Sequence, residues 1–155
     1  MLEVIVYLMI ASILLMSLAL IFRSSISLKS EIVNKVEMRE MASVVEDRIR
    51  YELENSIGIS NIWSRASNIN YDNKNKYTDV RKVEYRAYDK LQKEVLEKKY
   101  ISLESDRLYI ENEGKYQIGR HIWKIDLVDS DNYLDFSIIF KINNSVFLKK
   151  ITIEK

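Results

Sequence analysis

The chain has 155 residues, with 24 basic against 23 acidic side chains, a formal charge of +1, 47% hydrophobic and 30% charged residues. That length suits one ordinary domain with an appended helix and excludes most two-domain enzymes, while the near-zero charge gives no overall field to steer nucleic acid. With no cysteine, one histidine (His121), no proline and three glycines (Gly58, Gly114, Gly119), disulfides, thiolate metal sites, paired-imidazole chemistry and Gly-rich phosphate loops all fall away.

The apolar residues are unevenly spread. Val4 to Phe22 carries no charge and is almost entirely Val, Ile, Leu, Met and Ala. About 19 residues at a rise of ~1.5 Å span ~28 Å, the thickness of bilayer hydrocarbon, so residues 1–22 read as the transmembrane part of a helix. Ser12 and Ser17 fit it, because a hydroxyl can return its bond to the preceding turn. A signal peptide is the competing interpretation, but no basic segment precedes the run and no small-x-small site follows Phe22.

Residues 23–58 continue the helix in amphipathic form. Met41, Val44, Val45, Ile49, Leu53 and Ile57 make an apolar stripe at helical spacing, and Leu28, Ile32, Val33 and Val36 carry a similar one earlier. Glu31 with Lys35, Glu46 with Arg50, and Arg50 with Glu54 stand four apart on the charged face. No breaker lies before Gly58, which the pattern makes the helix stop. The stripe is expected to pack on the domain that follows.

Residues 59–79 are rich in Asn and lack period, so they read as a polar connecting loop anchored by Ile62 and Trp63. From 80 to 155 the period is two. The segments 80–88, 107–111 with 115–118 about Gly114, 121–128, 134–142 and 145–153 read as strands, and Asn143 with Asn144 supplies the positive backbone angles of a hairpin. Residues 89–99 fit either a helix or a charged edge strand, with 90–99 forming a solvated face. The expected fold class is α+β: a long N-terminal helix packed on an antiparallel sheet of four to six strands.

The opening Leu-Glu-Val-Ile-Val-Tyr-Leu-Met-Ile-Ala-Ser-Ile-Leu-Leu, its polar helical continuation and the small antiparallel sheet resemble a type IV pilin or pseudopilin, most strongly over Leu2 to Ile57. The order Leu108-Tyr-Ile, Lys115-Tyr-Gln-Ile-Gly-Arg-His-Ile and two closing strands more loosely resembles the ComGF-type competence pseudopilins and minor pseudopilins of type II secretion. The resemblance implies a pilin-like fold and a structural role in a filament. It gives Glu3 the part of the acid that opens the apolar helix and meets a neighbour's N-terminal amine during assembly. Its implied partners are other pilin-like subunits, membrane lipid, a prepilin peptidase and an assembly platform. Pilin precursors carry a basic leader ending in Gly, so that leader and two mature residues are expected upstream, lost through start-site choice or trimming. As written, Arg23 and Lys29 follow the apolar run and charge alone would keep the head cytoplasmic; a restored leader reverses this to an extracytoplasmic head.

Physics alone gives Glu3 two interpretations, an assembly contact or an interfacial carboxylate that limits insertion depth. Asp126, Asp129, Asp131 and Asp135 crowd one turn without the Gly and bidentate Glu of a calcium loop, and read as a solvated hairpin. His121 lacks a readable catalytic partner, and six tyrosines between Tyr85 and Tyr133 suit strand packing. Residues 23–155 carry 24 basic and 22 acidic groups, a net +2, which does not support direct DNA binding. No catalytic residue, cofactor or metal is expected. A minor pilin or pseudopilin, with competence DNA uptake ahead of secretion or motility, is the favoured function; a bitopic membrane scaffold or receptor-like protein is the alternative.

Overall fold

A computed structural model describes residues 2–70, 74–88 and 96–155. Helix α1 (Leu2–Glu54) is followed by β1 (Ser56–Asn70), β2 (Lys74–Tyr88), β3 (Leu96–Glu104), β4 (Arg107–Glu111), β5 (Lys115–Gly119), β6 (Ile122–Ser130), β7 (Tyr133–Ile142) and β8 (Ser145–Glu154). The layout is α+β: one long N-terminal helix packed on an antiparallel sheet. Among the described residues that sheet has eight strands, more than the four to six expected.

The chain divides into two units, residues 1–36 and 37–155. In the first, the described helix is solvent-facing throughout its apolar run, and it is long and apolar enough to cross a membrane. Ser12 Oγ donates to the Met9 carbonyl at 2.8 Å and Ser17 Oγ to that of Ile13 at 2.9 Å, which removes the cost of two hydroxyls in an apolar helix. Leu28, Ile32, Val33 and Val36 are exposed among charged neighbours, and Lys35 pairs with Glu31 at 2.6 Å.

In the second unit, residues 37–54 of α1 lie on the sheet. Helix formation needs no special device because neither Gly nor Pro interrupts Leu2 to Glu54. The stop differs from the expected one at Gly58. Asn55 Nδ2 donates to the Tyr51 carbonyl at 2.6 Å and Ser56 Oγ to that of Leu53 at 2.7 Å, satisfying carbonyls that the last turn leaves open. Gly58 instead lies inside β1 at φ 139, beside a register shift between Ser56 and Gly58.

Residues 59–70 and 74–79, expected as a loop, are strand, and 71–73 lie outside the described residues. β1 pairs antiparallel with β2 from Ser56↔Ala87 to Asn70↔Lys74, with register shifts at 56/58, 59/61 and 63/64. The first two shifts add Ile57 and Ser60 to β1 and flip which of its side chains face inward, while the third adds Arg81 to β2, so the period-two pattern breaks twice along β1, and the Asn content lowers its apparent strand propensity further. Of the ambiguous stretch 89–99, residues 89–95 lie outside the described residues and 96–99 open β3. Lys99 there is buried, so the 90–99 stretch is not uniformly a solvated face.

The sheet order is β5-β4-β3-β2-β6-β7-β8, with β1 also on β2. Since a strand has two edges and β1 lines one, β3 and β6 share the other: β6 pairs with 74–77 and β3 with 82–88. The sheet therefore forks into two wings. At the fork Asp79 adopts φ 55 and its backbone N–H is taken by Asp126 Oδ1 at 2.9 Å, so the gap in the ladder leaves this donor satisfied. The β7–β8 hairpin turns on Asn143 at φ 53; Asn144 has no positive angle, contrary to expectation.

Candidate functional site

The helix stripe holds the head together, but its membership shifts from the expected one. Met38, Ala42, Val45, Ile49 and Leu53 are buried, spaced by four, three, four and four residues, which keeps them on one helix face. Met41 is half-buried against them. Val44 is 56% exposed, because it lies about 100° round the helix from Val45. Ile57 is 54% exposed and belongs to β1, beyond the helix end. Ala42 and Met38 were missed because alanine adds little to an apolar pattern and Met38 stands between Glu37 and Arg39. The exact 3/4 spacing back from Val45 was the available signal.

Both outer strands of the forked sheet reach this helix. On the β5 side, Gly119 lies against Val45 so closely that a Cβ would meet Val45 Cγ2 at 2.6 Å. On the β8 side, Arg50 donates to the Thr152 carbonyl at 3.1 Å and Lys149 is bonded to Glu46. Arg50 also sits 3.4 Å from both Glu46 and Glu54, as the spacing predicts. The Lys149 ammonium holds the Glu46 carboxyl below the usual carboxylate range, with Arg50 adding to the effect. An edge strand whose carbonyl is occupied by an arginine is a poorer template for stray pairing.

Tyr85, fully buried on β2, donates its hydroxyl to Glu52 Oε2 at 2.9 Å. Burial, and then the negative charge of Glu52, push the phenol well above the usual tyrosine range. At the start of the unit, Glu37 accepts from Arg120 at 2.8 Å and lies 3.7 Å from His121 Nε2, while His121 Nδ1 is 3.9 Å from Asp106. His121 takes φ 61, and its carbonyl accepts the Lys141 N–H at 2.8 Å. The histidine thus sits where strands β5 and β6 join, with the helix carboxylate on one side.

The aspartates of the β6–β7 region turn to separate partners. Asp126 accepts from Lys124 at 3.0 Å, Asp129 pairs with Lys155 at 2.5 Å, and Asp135 accepts the Thr152 hydroxyl at 2.6 Å. Among the described residues no three His, Asp or Glu converge as ligands. A cavity of about 280 Å³ at the end of α1 is walled by Leu53, Ile57, Ile59, Leu134 and Ile153, and its hydroxyl, Ser56, is already bonded to the Leu53 carbonyl. Glu3 stands in the first turn of α1, where a carboxylate complements the positive end of the helix dipole. Compared with family models, curated proteins and solved structures, the chain matches none.

Proposed function

We propose that the protein is a minor structural subunit, a pilin or pseudopilin, of a type IV pilus-like filament. It is stored in the membrane as a single-pass protein with its head extracytoplasmic and later packs by its N-terminal helix among other pilin-like subunits. Competence DNA uptake is the process it serves on this reading, with secretion and motility as the other uses of such a fibre. The observation that carries it is the state of the first 36 residues. An apolar run suited to lipid is followed by Leu28, Ile32, Val33 and Val36, exposed beyond that run. A lone anchor has no need of a second apolar stripe in water, whereas a helix that bundles with neighbours does. This favours the filament over a bitopic scaffold.

Glu3 at the lip of the run is the proposed register contact. Carried into hydrocarbon unpaired, a carboxylate costs a few kcal/mol, so a neighbour's amine is a strong partner for it. The test is Glu3→Ala in the full chain, followed by membrane flotation and crosslinking to co-purifying subunits. Retained flotation with lost crosslinking supports the assembly role. Unchanged crosslinking would reduce Glu3 to an interfacial carboxylate. Recovery of signalling or division partners, with no pilin-like partner and none of the protein in sheared fibres, would overturn the filament.

A further inference from the structure

The β6–β8 wing has an outer face, turned away from α1, that the packing described so far leaves uncovered. Trp123, Val146 and Leu148 on it are 58%, 55% and 50% exposed. They are neighbours by register: Lys124 pairs with Ile139, Ile139 with Leu148, and Lys141 with Val146, while Trp123 sits at the register shift between Ile122 and Lys124. Lys141 Nζ lies 5.5 Å from the Trp123 ring centre. Among the described residues neither Lys141 nor Lys150 has a carboxylate within ion-pair distance, although both stand on this face. Of its acids, Asp126 stands in the row of Lys150 through Ser137 and is engaged by Lys124, Asp135 accepts from Thr152, and Glu154 is exposed at the far end of β8. The half of the face nearest the β7–β8 hairpin is therefore an exposed tryptophan and aliphatics flanked by two lysines, Lys141 and Lys150, that no carboxylate neutralises.

We propose that this face docks on an anionic phospholipid surface. Tryptophan places its ring at headgroup level, the aliphatics enter the acyl boundary, and lysine stems bury while their ammonium groups meet phosphates. Anionic headgroups complement Lys141 and Lys150, each adding about fivefold to the contact, from ~1 kcal/mol per basic residue near a charged bilayer. A second copy docked on this half complements it badly, since a two-fold axis through it would set Lys141 and Lys150 against their own copies. The face also belongs to the part of the head tied to the start of the unit. Lys141 N–H bonds the His121 carbonyl, and the adjacent Arg120 pairs with Glu37, the first residue of the unit. The docking rests on the membrane insertion proposed above and would hold the head against headgroups until the subunit leaves the bilayer.

The test uses the full chain carrying Trp63→Phe, which leaves Trp123 as its one tryptophan, reconstituted in vesicles of phosphatidylcholine with and without phosphatidylglycerol. Headgroup-quencher lipids read the ring's position, and the unmodified chain is run alongside as a folding control. Docking predicts a blue shift and loss of most Trp123 emission only with phosphatidylglycerol, reversed by salt and by Lys141→Glu with Lys150→Glu. A chain that floats with both vesicles while Trp123 stays unquenched overturns the docking and leaves the membrane reading standing. Failure to float with either overturns both. Burial of Trp123 that follows protein density and ignores lipid charge assigns the face to a second copy, and burial seen only after adding an acidic protein assigns it to that class; each overturns the proposal.

Discussion

Gly119 on β5 and Val45 on α1 touch without a side chain between them, and a Cβ on the glycine would stand 2.6 Å from Val45 Cγ2 and 3.1 Å from Ile122 Cδ1. Both obstacles are branched side chains in the core, so neither can swing into solvent. Gly119→Ala is expected to destabilise the head by ~1–3 kcal/mol in chemical unfolding, the usual cost of overpacking. Val45→Ala added to it should recover part of that loss, and strictly additive effects would show that the two do not meet.

Tyr85 links the sheet to the helix through Glu52, and its protonation has a defined sign. The folded phenol titrates above its ordinary value of 10.0, so above that pH the folded state holds a proton the unfolded chain has lost. Stability from this group is complete below about pH 10 and falls as pH rises, by up to ~1.4 kcal/mol per unit. Tyr85→Phe should lower stability at neutral pH by about 1 kcal/mol. It should also flatten the alkaline loss, and identical alkaline midpoints for the two proteins would refute the assignment.

At acid pH the reverse applies to Glu46. Its carboxyl, held below the ordinary 4.5 chiefly by Lys149, stabilises the fold above that pH and ceases to as pH falls through the lowered value. Lys149→Met should therefore reduce the loss of stability below about pH 4.5. Urea midpoints from pH 7 to 3 measure it, and an unchanged acid limb would mean the pair is only a surface contact.

The helix and the strands from Val80 onward, β3 (Leu96–Glu104) excepted, are legible because neither Gly nor Pro breaks Leu2 to Glu54 and because β7 alternates cleanly from Leu134 to Ile142. β1 is not, since the two extra residues Ile57 and Ser60 break the alternation that identifies a strand, and its polar residues are admissible only because it is an edge. The stop at Asn55 and Ser56 was hidden for a related reason: side-chain caps of carbonyls leave a weaker trace than glycine. Of the candidate site, Glu3 and the centre of the stripe were readable from position and period. The pairs Gly119 with Val45, Tyr85 with Glu52 and Arg120 with Glu37 join residues from 33 to 83 apart, and local pattern carries no information about them.

Val44 and Ile49 separate the expected stripe from the real one. The helical spacing puts both on the packed face, yet Ile49 is fully buried and Val44 is 56% exposed. Ile49→Lys places a charge in the core without a partner and should cost about 4 kcal/mol or more, enough to unfold a marginal head. Val44→Lys should stay within about 0.5 kcal/mol of the parent. Thermal melts of the two variants decide it, and comparable losses would place Val44 in the core after all.

The division at residue 36 makes a prediction about fragments. Residues 37–155 retain Met38 and the whole buried stripe, so that fragment should be soluble, monomeric and cooperative on unfolding. A fragment starting at Ile59 lacks every helix residue that covers the sheet and should aggregate, because a contiguous apolar face is then in water. The fragment 23–155 lies between them. Its head is complete, but Ile26, Leu28, Ile32, Val33 and Val36 are 47–68% exposed on the added helix, so sedimentation should show concentration-dependent association that 37–155 lacks. If 23–155 instead sediments as a monomer at every concentration, that stripe has too little affinity for its own kind to draw helices together.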